Sequence, residues 1–171
     1  MEPQKQIVIF LAEFDFQVRQ IDSIYGSLAK KAVTIEKQRV TVEAVESAGY
    51  WMHNLYCAFE DLFKLVVGFW ENNLSVNGEY HIHLLKRMLV EIEGVRPALL
   101  SIAGYRYLNE LRGFRHVFRH AYSYGLDDER VSALLRKILD QKDIVISDLQ
   151  TFRNTIAGFV EEPDESPTTG N

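Results

Sequence analysis

Five of nine consecutive positions in one stretch of the chain carry guanidinium or imidazole side chains: Arg112, Arg115, His116, Arg119 and His120. In a helix each residue advances about 100° around the axis, which puts these five at roughly 0° (Arg115), 40° (Arg119), 60° (Arg112), 100° (His116) and 140° (His120). Val117, Ala121, Phe114, Phe118 and Leu111 take the opposite arc, which reads as an apolar side, and Tyr122 falls at about 340°, beside Arg115. Arginine presents a flat, permanently charged fork that fits a phosphate through two hydrogen bonds. Histidine gives or takes a proton near neutrality. Together they describe an anion site with a proton shuttle, which suits a phosphodiester. The plainer alternative is a solvated helix face, as most charge runs are. Two features weigh against it. The chain as a whole is acidic, with a formal charge of −5, so its positive charge is concentrated here. The Asp or Glu partners at i,i+4 that usually lace an exposed face are also absent between positions 111 and 124.

One phosphodiester such a face could act on is RNA, which brings its own nucleophile in the 2′-hydroxyl next to the scissile phosphate. Cleavage then needs a base near that oxygen, an acid near the leaving oxygen, and cations for the charged phosphorane. His120 is the expected acid/base and Arg115 the phosphate clamp, with Arg112, His116 and Arg119 as substrate contacts. This chemistry requires no metal and no cofactor. Glu79 and His83 stand four apart, but no third ligand has matching spacing. One difficulty is geometric: Arg115 and His120 lie about 140° apart on the helix. A two-fold homodimer that presents the same face twice would pool both residue types in one cleft.

The pattern Arg115, four residues, His120, one residue, Tyr122, followed by the Gly125-Leu126-Asp127 break, resembles the signature of HEPN-superfamily ribonucleases, and specifically HepT-like toxins of prokaryotic toxin–antitoxin pairs. A second stretch, residues 53–63 (HNLYCAFEDLF), is similar to that family's second helix, where an acidic residue follows an aromatic-rich run. The resemblance spans roughly residues 5 to 160. It implies an all-α, HEPN-like fold, an endoribonuclease with a composite site at a dimer interface, and a nucleotidyltransferase antitoxin as partner. It also implies that the antitoxin neutralises the toxin by transferring AMP to Tyr122, where added negative charge beside Arg115 would keep RNA out. Glu60 and Asp61 sit in the most apolar part of the second stretch, where a carboxylate needs a cation or hydrogen bonds. Either a helix-packing ion pair or an anchor for the stripe would serve, and the resemblance favours Glu60 as the anchor. His116 stands directly after Arg115, which leaves open which histidine does the chemistry. A different class of function also fits: a non-catalytic helical partner of a nucleotidyltransferase, in which Arg115 and His120 would be dispensable.

These residues need helices to carry them, and the chain supplies apolar repeats at threes and fours. They predict five helices, over about 3–32, 36–73, 79–92, from 98 or 105 to 122, and from 127 or 128 to 159, packed as an all-α bundle. With 171 residues and 47% apolar content, one domain over 1–160 is expected, followed by a disordered acidic tail, 161–171. The net charge argues against a protein that coats nucleic acid generally, so any such site must be local. Cys57, the one cysteine, permits no internal disulfide and reads as a small buried hydrophobe. The most apolar run, 55–70, is interrupted by Glu60, Asp61 and Lys64, so no membrane span is expected and the protein is read as cytoplasmic.

Overall fold

The computed structural model describes residues 3–37, 40–71, 80–120 and 125–161. Two long helices form its frame: α1 (Pro3–Lys37) and α2 (Val42–Trp70). Phe10, Phe14, Ile21, Tyr25 and Leu28 make the buried stripe of α1. On α2 burial goes nearly all the way round, through Val45, Met52, Leu55, Tyr56, Phe59, Leu62, Phe63 and Val66. A helix apolar on most sides belongs in the centre of a bundle. α2 accordingly packs against α1, α3 (Tyr80–Arg87), α4 (Ile102–His120) and α5 (Asp128–Asp140), while α6 (Lys142–Glu161) closes the bundle against α1 and α4. Buried side chains from all six helices join in one core cluster. α2 starts where Thr41 accepts a hydrogen bond from the Ala44 amide, 3.2 Å, with Glu43 in the positively polarised first turn.

Buried polar groups fix how the helices meet. Arg96, 2% exposed, lies under the loop between α3 and α4. Its Nε and Nη2 donate to Glu71 Oε1 at the end of α2, at 3.0 and 2.7 Å. Its remaining donors reach the carbonyls of Val90, Pro97 and Arg87. A guanidinium is tolerated in a core only when its donors are placed like this. Arg87 pairs with the other Glu71 oxygen. At the base of α4, the Ser101 amide and hydroxyl both donate to Asp148 Oδ2 of α6, each at 2.9 Å. Gly104 is needed there, since a Cβ would collide with that carboxylate. Tyr107 of α4 donates to the Ile138 carbonyl of α5 (3.2 Å) and is met by the Tyr25 hydroxyl of α1 (2.6 Å). Burial raises both phenol pKa values, so both hydroxyls stay protonated and serve as donors.

The all-α bundle expected from the sequence is found, but with six helices rather than five. The last predicted helix breaks at Gln141, whose amide closes α5 on the Lys137 carbonyl at 3.1 Å. The break is invisible to apolar spacing because Ile138 and Val145 are both buried and exactly one heptad apart, so the stripe reads straight through it. Its effect is to let α5 pack on α1 and α2 while α6 packs on α1 and α4. Other boundaries also move. α1 runs on to Lys37 and α2 begins at Val42 instead of about 36. α3 ends at Arg87, and the chain then turns through an Ile92–Arg96 bridge at Gly94, whose φ of 72° suits glycine. Val117, expected on the apolar side of α4, is 56% exposed, while Phe114 and Phe118 are half-buried and Leu111 is buried. No described helix is long and apolar enough to cross a membrane. The predicted turn at 72–78, Glu79, Tyr122 and nearly all of the expected tail lie outside the described residues.

Replacing Arg96 by Leu would strand the buried Glu71 carboxylate. We expect it to lower unfolding stability by roughly 3 kcal/mol in urea titrations, with Arg87→Ala, a half-exposed partner of the same carboxylate, costing much less.

Candidate functional site

The Glu60 carboxylate is 2% exposed, in the middle of α2. An ionised group so placed demands a cation, and α4 supplies Arg115, whose Nη1 donates to Glu60 Oε1 at 3.0 Å. The Arg115 guanidinium also lies 5.7 Å from the centroid of the Tyr56 ring, within cation–π range. Tyr56 is buried, and burial first, then the Glu60 charge, raises its phenol pKa. Arg115 Nε is buried with no hydrogen-bond partner among the described residues, so the fork has unused donor capacity. The arginine at the heart of the stripe is therefore turned inward and held, with 17% of its side chain accessible.

The rest of the stripe is arranged differently. Arg112 is held by Asn109, whose Oδ1 accepts from Nε and Nη2 at 3.1 and 2.8 Å. Arg119 is exposed and has no ion-pair partner among the described residues. His116 and His120, also exposed, lie ring to ring with centroids 4.5 Å apart. His120 Nδ1 lies 2.7 Å from the His116 carbonyl; as that oxygen can only accept, Nδ1 is the donor, which leaves Nε2 as the nitrogen available for proton exchange. The fold thus joins Glu60 to Arg115 and His116 to His120. It does not join His120 to Arg115, because one faces solvent and the other faces α2.

The seam between α2 and α4 also contains residues to which the sequence reading gave no role at the site. Phe118 stacks on His53 of α2, centroids 5.5 Å apart and planes 27° apart. Gly49 permits this approach, for a Cβ there would come within 2.9 Å of both Phe118 and Leu126. His53 Nε2 is 3.6 Å from the Cys57 sulfur, and its Nδ1 is buried without a hydrogen-bond partner among the described residues. Burial foremost, then the charges of Arg115 and Arg119, holds the imidazole pKa below its usual 6.5. Burial likewise pushes the Cys57 thiol up. A signal was available: His53, Tyr56 and Glu60 recur at i, i+3 and i+7, one face of a helix.

A concavity of about 550 Å³ between the end of α1 and α5 lies elsewhere. Glu36, Asp128 and Glu129 outnumber Arg136 on its lining, the wrong balance for a phosphate, so the α2–α4 seam is the better candidate. Among the described residues no three His, Cys, Asp or Glu side chains converge as a metal site requires.

A family model described as HepT-like protein matches residues 47–156, a span that includes the Glu60–Arg115 pair and the whole of α4. No curated protein and no solved structure matches the chain.

Two outcomes follow from this geometry. Glu60→Gln weakens the anchor of Arg115 and is expected to cost about 1–3 kcal/mol by denaturant titration. The lowered His53 pKa predicts a pH dependence. Between that value and about 6.5 the unfolded chain binds the proton and the folded chain does not, so stability is complete above about 6.5 and erodes as the pH falls through the folded value. Thermal melts from pH 7.5 down to 5 should show this slope in the parent and a shallower one in His53→Gln.

Proposed function

The chain belongs to the HepT-like family, and from that premise we propose that it is a metal-independent endoribonuclease toxin of a toxin–antitoxin pair, acting in the cytoplasm. The observation that carries this reading is the Glu60–Arg115 pair: a buried carboxylate holds one arginine rigid on a helix whose neighbouring Arg112, Arg119, His116 and His120 side chains approach or reach solvent. A clamp fixed in advance loses little side-chain entropy when it binds phosphate, and it stabilises charge where charge develops.

In this reading the RNA 2′-oxygen attacks the adjacent phosphorus as the phosphorus–O5′ bond breaks, leaving a 2′,3′-cyclic phosphate and a 5′-hydroxyl. Arg115 faces the phosphorane oxygens and His120 exchanges the proton. Arg112, Arg119 and His116 contact neighbouring phosphates. Because His120 and Arg115 point apart within one chain, the reading includes a homodimer that pools two copies of the face. Val117 on α4 and Tyr50 on α2, both more than half exposed, are the apolar groups such a contact would cover. A nucleotidyltransferase antitoxin would silence the site by transferring AMP to Tyr122, adding negative charge two residues after His120. The same separation of Arg115 from His120 favours a second reading, a non-catalytic binding partner of a nucleotidyltransferase.

Purified protein is expected to cleave RNA in the presence of chelator, and Arg115→Ala and His120→Ala should each lower the rate at least about 100-fold. Cleavage that both variants retain would sink the assignment of the site, and a parent inert on varied RNAs would put the binding-partner reading first. Incubation with the antitoxin and ATP should add one or more AMP masses to the parent and none to Tyr122→Phe.

A further inference from the structure

We propose that His53 is a further catalytic residue, the base that takes the 2′-hydroxyl proton in the cleavage put forward above, on which this inference rests. The stripe's own histidines do not lie with Arg115: His120 stands about 140° around the helix from it and is bonded to the His116 carbonyl. His53 comes from the neighbouring helix and meets the opposite edge of the stripe. It stacks on Phe118, which directly precedes Arg119 and follows Arg115 by three positions, and it feels the charge of both arginines. The stack and the close approach at Gly49 fix the plane of the ring, as a proton acceptor requires.

The ring also presents the right nitrogen. The Cys57 sulfur lies 3.6 Å from Nε2, and burial keeps the thiol protonated and able to donate there. The proposed role uses the tautomer with the ring proton on the buried Nδ1 and the lone pair on Nε2, the nitrogen facing Cys57. A substrate hydroxyl is a stronger donor than a thiol and would displace that contact. The groups that bear on the ring are Arg115 and Arg119 from α4, and Cys57 and Glu60 one and two turns along α2. The segment entering α5 contributes the apolar Leu126, one turn away at Gly49. This surrounding keeps the imidazole neutral at pH 7, the state a base needs.

The step balances without any outside reactant. The 2′-hydroxyl proton moves to His53 Nε2, the O2′–phosphorus bond forms, the phosphorus–O5′ bond breaks, and a protonated His120 from the second copy of the face in the homodimer gives its proton to O5′. The two imidazoles then reset by exchange with water. His53 and His120 thus divide between them the roles that one histidine cannot fill from one position.

The test follows kcat/KM against pH for the full-length protein on a short RNA, with His53→Gln alongside, and an NMR titration of the His53 ring in the parent. A 2′-deoxy oligonucleotide and thermal melts report binding and folding of the variant. We expect an acidic limb in the parent at the NMR pKa of His53, below 6.5. In His53→Gln we expect kcat to fall about 100-fold or more and the limb to vanish, with binding of the deoxy oligonucleotide retained. If the variant does not fold, agreement between limb and ring pKa in the parent decides the question. A limb that departs from the ring pKa, or a variant that cleaves with the parental profile, overturns the role of His53 and leaves the ribonuclease reading standing. A parent that cleaves no RNA overturns both.

Discussion

A carboxylate in the core of α2 constrains much of what is distinctive about this bundle. Glu60 sits among Phe59, Leu62 and Phe63, where an unpaired charge would cost several kcal/mol. Pairing it with Arg115 fixes the rotation of α4 about its own axis. With that rotation set, Leu111 points into the core, Phe118 lands over Gly49 and His53, and the remaining cations face outward. Two apolar residues in place of Glu60 and Arg115 would fill similar space, and such swaps are often neutral or stabilising. They would also abolish the positive anchor of the stripe, so the pair is better understood as positioning α4 than as adding stability.

The bundle repeats this device away from the site. Glu71 with Arg96, Asp148 with the first turn of α4, and the Tyr25–Tyr107–Ile138 chain each place a polar contact where two or three helices join. Apolar packing alone specifies position weakly, since Leu and Phe surfaces can slide by a residue. Directional bonds that are costly to leave unmade select one register. The acidic charge of the whole chain is compatible with an anion site because the carboxylates nearest the stripe are few, and Glu60 is directed inward.

The all-α class and the approximate extent of the first four helices were legible because their apolar residues recur at helical spacing and turn residues separate them. The Gln141 break was not, because the heptad continues across it and nothing about Asp140-Gln141-Lys142 forbids a continuous helix. Helical-wheel reasoning placed Leu111 inside and Arg119 outside, but it assigned Val117 to the wrong environment. A wheel gives angles and does not say how wide an arc the neighbours cover. The Glu60–Arg115 contact could be suspected from a carboxylate in an apolar run. His53 was harder to see, because its meaning depends on Phe118 and Gly49, residues remote in sequence and unremarkable by themselves.

The way α4 is attached has a mechanical consequence. Its first half is clamped by Asp148, Tyr107 and Leu111, then by Arg115, whereas His116, Val117, Arg119 and His120 face outward and Phe118 alone reaches inward. The helix is thus held most firmly through its first half, and most side chains of its last described turn face solvent. Local opening free energy is set by buried contacts, so amide protection should decline along α4 from Gly104 toward His120. Beyond Arg115 the inward contacts of its described length thin out to the stack of Phe118 on His53. An anion engaging this outward-facing turn would meet the part of α4 with the fewest buried contacts, where local order is least costly to change.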